Sequence, residues 1–256
     1  MQRLLCHGSN RVINGTAGHF LCSSCGWVRK NVSAYMAVLV YSGVWLRMVR
    51  DDKPRTVYWL DDKLYLNITN KCSNKCIFCF RNFKRGVGDF TLKLDSEPSF
   101  EQVVRELDET MKRKKWKEVV FCGFGEPTER LDLLLILARC VKWRYEEPVA
   151  IRVNTNGHGY VLNAGRDVAA ELKAAGVDKV SVSLNAGDEE TYNEICKPVF
   201  PGAFASVLDF IEKAKRVLDV EVTAVTTPEA DLHKVETLAK EVGVTFRLRQ
   251  YIPCFW

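Results

Sequence analysis

The sequence predicts an α/β fold in which six parallel strands alternate with helices and curve into a partial (β/α)6 barrel. Three observations carry this expectation. From Leu64 onward, short runs of large and β-branched residues alternate with segments whose apolar residues recur at helical spacing. The links between them are short, which calls for parallel strands with right-handed crossovers. The residues with the most chemistry fall directly after the strands, where such folds bind their ligands. A chain of 256 residues, 47% hydrophobic and 27% charged, is ordinary for a globular domain with an appendage.

In order, residues 64–69 form the first strand, ending at a run of cysteines. Ser99 then opens a helix, with Gln102 three residues on as a capping box and Phe100, Val103, Val104, Leu107 and Met111 on one face. Lys112 to Lys115 place positive charge where the helix dipole favours it. Residues 118–122, 149–153, 179–184, 220–225 and 245–251 supply the next five strands. Between them, helices are marked by Leu131, Leu134, Leu135, Ala138 and Val141, and then by Val168, Leu172 and Ala175. Phe204, Val207, Leu208 and Ile211 mark the fourth, and Leu232, Val235, Leu238 and Val242 the fifth. Gly176 and Gly243 stand as helix stops.

Residues 1–50 differ from the remainder. They hold six Lys or Arg and no acid, leaving 31 basic against 32 acidic residues from Asp51 on, so the net charge of +5 is no sign of nucleic-acid binding by the body. We expect two domains: an irregular N-terminal extension, 1–50, and a barrel domain, 51–256. A start of translation at Met48 or Met36 is one reading of the extension; a zinc knuckle on Cys6, His7, Cys22 and Cys25 is another. The apolar run 34–46 falls short of the roughly 18–20 residues of a spanning helix and lies too far in for a signal peptide. Ten unevenly spaced cysteines suit a reducing, cytoplasmic setting without membrane attachment.

Cys72, Cys76 and Cys79 carry the sharpest signal. Offsets of four and three also describe one face of a helix, but Lys71, Ser73, Asn74 and Lys75 make a packed face a poor reading. Structural zinc takes four ligands, and no fourth Cys or His lies nearby in sequence. A 4Fe–4S cluster held at three corners leaves one iron open. Further along, Gly123-Phe124-Gly125-Glu126-Pro127-Thr128 follows the second strand, with glycines for close backbone approach and a carboxylate suited to an ammonium group. A dinucleotide fingerprint fails there, because its third Gly would fall at Thr128. Asn67-Ile68-Thr69 matches a glycosylation sequon but lies in an expected strand.

The spacing C-x3-C-x2-C, with Phe78 before the last Cys, resembles the signature of the radical S-adenosylmethionine (SAM) superfamily. Gly123, Gly125 and Glu126 resemble its Gly-Gly-Glu-Pro element, with Phe124 splitting the glycines. Asn154-Thr155-Asn156-Gly157-His158-Gly159 and Ser183-Leu184-Asn185 are similar to further segments of that superfamily. Together, these motifs look most like the TatD-associated radical SAM proteins. The resemblance implies a TIM-like partial barrel of the radical SAM type, with metal ligands Cys72, Cys76 and Cys79. It also implies SAM contacts from Phe78, Gly123, Gly125, Glu126, Asn154, Asn156, Ser183 and Asn185, with Val225 offering an apolar wall.

The chemistry implied is reductive cleavage of SAM to methionine and a 5′-deoxyadenosyl radical, which abstracts hydrogen from an unidentified substrate. The electron would come from an external reductant such as ferredoxin or flavodoxin, and a TatD-type nuclease is a functional associate by resemblance. The catalytic residues stay open, with Cys196, Cys254 and His158 as candidates; Lys197, Arg247 and Arg249 offer charge for a substrate carboxylate or phosphate. Cys122 and Cys140 read as packing residues. The alternative is an iron–sulfur or zinc module that transfers electrons or senses without cleaving SAM.

Overall fold

The computed structural model describes residues 53–145 and 149–251, together with the backbone of four short strands before them. The chain divides into two compact units, 1–53 and 54–256. In the first unit, Leu4–Leu5 pairs antiparallel with Val12–Ile13, and His19–Cys22 with Gly26–Arg29. The extension thus contains two small antiparallel pairs where an irregular segment was expected. The second joins two four-residue runs holding aromatic and apolar residues.

In the second unit, β1 (Val57–Leu60) and β2 (Lys63–Leu66) form a hairpin at one edge. A two-residue pair, β3 (Gly86–Val87) and β4 (Phe90–Thr91), follows the cysteines. Then come α1 (Phe100–Met111), β5 (Glu118–Phe121), α2 (Leu131–Arg144) and β6 (Ala150–Thr155). A one-turn α3 (Gly159–Leu162) leads to α4 (Val168–Ala174), β7 (Lys179–Ser183), α5 (Glu189–Cys196) and α6 (Ala203–Ala214). β8 (Asp219–Val225), α7 (Leu232–Val242) and β9 (Thr245–Arg249) complete the set. The strand order is β9-β8-β7-β6-β5-β2-β1, all parallel except β1. This is the partial barrel: six parallel strands in sequence order, each step crossed by a helix.

Alternation along each strand sorts the residues onto two faces. Leu64, Leu66, Val119, Phe121, Val180 and Val182 turn outward and are fully buried under the helices in one core. Their neighbours Lys63, Tyr65, Glu118, Lys179 and Ser181 therefore face the inside of the barrel. The α1 start has its capping box: Ser99 Oγ accepts from Gln102 N–H (3.3 Å) and Gln102 Oε1 accepts from Ser99 N–H (2.8 Å).

The sequence reading missed β1, the β3–β4 pair, α3 and α5. β1 is a good strand run, but it pairs with β2 only through the tight Asp61-Asp62 turn, with Asp61 at φ +51°. α5 is eight residues long and capped by Asp188, whose Oδ1 accepts from Thr191 N–H at 2.9 Å; too few apolar positions repeat to show a period. Among the described residues, no helix is long and apolar enough to cross a membrane.

Candidate active site

The cysteine loop leaves β2 and crosses the strand tips. Its first half is laid against the end of α5 and the residues just after it: Ile77 N–H donates to Ile195 O (2.9 Å), Lys75 N–H to Cys196 O (3.0 Å), and Val199 N–H to Ser73 O (2.9 Å). Its base is laid against the loop after β5. Glu126 N–H donates to Lys71 O at 2.7 Å, and Phe124 N–H to Asn67 Oδ1 at 2.8 Å.

The glycines belong to this second contact. A Cβ on Gly123 would come within 2.1 Å of Asn67 Oδ1, and one on Gly125 within 2.3 Å of Lys71 O. What these glycines admit is therefore the cysteine loop's own backbone, a use the sequence reading had given to a ligand. Phe124, which splits them, is 8% exposed and packs with Tyr58 and Leu92 in a small second core. Phe80 meets its ring edge-on at 5.7 Å, and the Arg81 guanidinium lies over it at 5.0 Å. The inserted aromatic thus clasps the far end of the cysteine loop.

Glu126 is 4% exposed and gathers four donors. Oε1 accepts from Thr128 Oγ1 (2.7 Å), Thr155 Oγ1 (2.8 Å) and Thr128 N–H (3.1 Å); Oε2 accepts from Asn156 N–H (2.7 Å). Burial nevertheless pushes its carboxyl above the ordinary range, the donors opposing. With three donors on one oxygen and one on the other, Oε2 keeps acceptor capacity. After burial, the nearby Glu126 carboxylate also raises the Cys72 thiol.

A buried polar chain stands behind the cysteines. His158 is fully buried, its Nδ1 2.9 Å from Ser73 Oγ and its Nε2 2.9 Å from Tyr192 Oη. Asn156 Nδ2 donates to Ser73 Oγ (2.8 Å), and Asn74 Nδ2 to Tyr192 Oη (3.1 Å). Burial holds the His158 imidazole down to about 4, so it is neutral here. Both ring nitrogens are engaged, which makes this histidine a brace between Ser73 and α5.

Cys72, Cys76 and Cys79 are free thiols, each half-buried. Burial pushes Cys72 up to about 12 and raises Cys79 as well; the hydrogen bond to Cys196, then burial, raises Cys76. Cys196 itself is fully buried as the last residue of α5, its Sγ 3.6 Å from Asn185 Nδ2. Cys122 is not simple packing: its thiol shares the barrel interior with the Asn154 side chain, near Arg249 and Arg152. Cys140 lies half-buried on α2.

Asn154 Oδ1 accepts from Arg152 Nη1 at 3.1 Å, and Ser183 ends β7 half-buried. Asn185 is 2% exposed at φ +62°, and its Oδ1 has no partner. Phe78 is half-buried against the main core, and Val225 is buried on β8. Lys197 caps α5 in the left-handed region, and Arg247 is paired with Glu221. Cys254, Cys6, His7 and Cys25 lie outside the described residues, as do the side chains of the N-terminal strands.

Among the described residues, no three His, Cys, Asp or Glu side chains converge on one ion. A single zinc needs that convergence, whereas a cubane distributes three thiolates over three irons. Thiols held up by burial and an unpartnered buried amide oxygen at Asn185 fit a cluster carrying a polar ligand.

The protein-family model for the Radical SAM superfamily matches residues 66–242, and the chain belongs to that superfamily. The cofactors of that superfamily are a 4Fe–4S cluster and SAM. Curated relatives include a probable GTP 3′,8-cyclase of Halobacterium salinarum, 28% identical over 80% of this chain and 54% of the relative. Another, from Methanococcus maripaludis, is 30% identical over 73% of this chain and 58% of the relative. The chain thus spans about half the length of the curated relatives it matches. Among solved structures, Streptococcus suis SuiB aligns with a TM-score of 0.55 at 16% identity, over 80% of this chain and 41% of that one. The FeFe-hydrogenase maturase HydG from Carboxydothermus hydrogenoformans aligns with a TM-score of 0.52 at 18% identity, over 75% and 44%. Both likenesses concern the fold.

Proposed function

We propose that Cys72, Cys76 and Cys79 hold the 4Fe–4S cluster and that the strand tips β5 to β8 bind SAM for radical generation on a substrate in the barrel mouth. A 4Fe–4S cluster held by these three cysteines would supply, from an external reductant, the one electron that reductive cleavage of SAM to methionine and a hydrogen-abstracting 5′-deoxyadenosyl radical requires. The protein's part is placement. Glu126, through Oε2 and its backbone, offers acceptors beside Cys72 for the SAM ammonium. Asn185 Oδ1 offers a buried acceptor to the ribose, Ser183 and Asn154 add polar contacts, and Phe78 and Val225 flank the adenine. Gly123, Gly125 and Asn156 act one step back, by seating the cysteine loop and Glu126. His158 braces the loop and takes no proton in the reaction. Cys196 touches Cys76 and is the nearest spare thiol.

The observation that carries the reading is that Glu126, the fifth residue after β5, accepts from Asn156 N–H of the β6 loop at 2.7 Å and lies within electrostatic reach of Cys72. A purely electron-transferring or sensing module has no use for that ligand rim. We further propose a one-electron donor such as ferredoxin or flavodoxin, and cytoplasmic placement. Kinship with the TatD-associated group rests on the four sequence motifs, while the substrates of the cyclases belong to those relatives. Anaerobic reconstitution with iron and sulfide, reduction in the presence of SAM, and assay for 5′-deoxyadenosine test the proposal. The product is expected from the native protein and absent from Cys76→Ala. A stable four-coordinate zinc protein indifferent to SAM would overturn it.

A further inference from the structure

The inner wall of the barrel is charged, and among the described residues its charges are matched with one exception. Glu118 pairs with Arg152 (2.9 Å) and Lys63 (3.6 Å). Glu221 pairs with Arg247 (2.9 Å) and Lys179 (3.7 Å), and Ser181 Oγ donates to it at 3.0 Å. Glu118 and Glu221, with Asp219 also 3.7 Å from Lys179, thus serve four cations in the lower layer. One turn of the β pleat above Arg247, at the tip of β9, stands Arg249 on the same face.

Register fixes where Arg249 points. It pairs with Val225 of β8, and its carbonyl accepts from Thr226 N–H at 3.0 Å, so its backbone is held at the rim. Phe246, on the alternate face, packs into the helix-covered core, which leaves Arg249 on the barrel side. Its guanidinium lies within electrostatic reach of Cys122, on the tip after β5. Among the described residues it has no carboxylate partner, and it is exposed. Two buried polar atoms on the neighbouring tips lack partners as well: Asn185 Oδ1 after β7 and Thr227 Oγ1 after β8. Thr227 is 6% exposed, so its hydroxyl is not satisfied by bulk water.

We propose that Arg249 is the anchor for an oxyanion of the substrate, a phosphate or a carboxylate, with Thr227 Oγ1 as a second donor. The proposal rests on the SAM-cleaving reading and names the substrate class for that same mouth. A guanidinium fork suits both oxyanions through two parallel N–H donors. The partnered lower layer cannot serve, because Arg247 and Arg152 already donate to carboxylates. Placing the anion at β9, on the strand most distant from Glu126 among the six, leaves the substrate's reacting carbon between its anchor and the cluster.

The test uses the reconstituted full chain with SAM, in equilibrium dialysis against pyrophosphate in one arm and succinate in the other. Saturable binding is expected in at least one arm, and the tighter arm identifies the oxyanion. Arg249→Gln is expected to weaken that binding at least tenfold, with Arg249→Lys between the two because charge survives without the fork. SAM affinity and the cluster absorbance of Arg249→Gln should stay within about twofold of the native protein, which also shows that it folds. Absence of binding in both arms, or equal binding by native and Arg249→Gln protein, overturns the proposal. So does a loss of SAM affinity in Arg249→Gln with competition between SAM and the anion, since Arg249 would then serve the SAM carboxylate. Cluster absorbance and uncoupled 5′-deoxyadenosine formation are read in the same samples; their failure bears on the SAM reading alone.

Discussion

The two faces of one sheet are built on opposite rules. On the outer face, Val119, Phe121, Ile151, Val153, Val180 and Val182 are wholly buried beneath the helices and carry no polar atom beyond the backbone. On the inner face, one residue away along the same strands, Glu118, Arg152, Asn154, Ser181 and Glu221 bond to one another. Apolar burial holds the outer face and is indifferent to pH and salt. The inner face depends on directional partners, so each group there must be matched or exposed to a ligand. The sheet buries apolar side chains on one side and presents its polar groups on the other.

Breaking the outer face should cost the most. Phe210 on α6 is fully buried, with Tyr160 edge-on at 6.0 Å. Phe210→Ala should lower unfolding free energy by about 3–5 kcal/mol in denaturant titration, with cluster content per folded molecule unchanged. A loss below about 1 kcal/mol would mean that this face is not the main support. On the inner face, Arg152→Ala leaves the largely buried Glu118 to Lys63 alone and should cost about 3 kcal/mol. The paired change Arg152→Met with Glu118→Leu should recover most of it, because both desolvated charges go together. Equal losses in the single and double variants would show that the ladder is more than a charge match.

The next effect depends on pH. His158 ordinarily titrates near 6.5, and burial lowers it to about 4 in the fold. The folded state therefore binds fewer protons, so the contribution is complete above pH 6.5 and is lost as pH falls towards 4. The loss is on the order of 3 kcal/mol when complete. Thermal unfolding from pH 7.5 to 4 should show this slope, and His158→Gln should flatten it while keeping a donor and an acceptor for Ser73 and Tyr192. The same slope in the variant would assign the acid sensitivity elsewhere.

Legibility in the sequence follows the same division. The outer face repeats with the periods of strand and helix, so the six parallel strands and the main helices can be read from apolar spacing alone. The residues after the strands stand out by type: three cysteines, Glu126 and a Thr-Asn-Gly run. What cannot be read is which side of a residue does the work. Gly123 and Gly125 are shaped by a neighbouring backbone, and the first of them by Asn67, more than fifty positions away. The Phe124 insertion makes sense only with Phe80 and Arg81 lying on it. His158 looks like an acid or base until both its nitrogens are seen engaged. Cys196 reads as a loop residue because its helix is too short to show a period.

The smallest effect probes the junction of the two faces, where Thr155 ends β6. Its hydroxyl donates to Glu126 Oε1 at 2.8 Å and accepts from Gly157 N–H at 3.1 Å. Thr155→Val keeps the shape and removes one of the carboxylate's four donors, so it should cost about 1.5–3 kcal/mol at neutral pH, the range for a hydrogen bond to a charged group. Its pH dependence runs opposite to that of His158. Burial already raises the Glu126 carboxyl above its unfolded value, and losing a donor raises it further. The folded state then holds its proton to higher pH than the unfolded chain does, so stability is retained in acid and lost as pH rises through the folded value. The gap between Thr155→Val and native protein should accordingly widen from pH 4.5 to pH 8 in denaturant titrations. A gap independent of pH would mean that the threonine serves the Gly157 turn alone, and that Glu126 is held ionised by the remaining three donors without it.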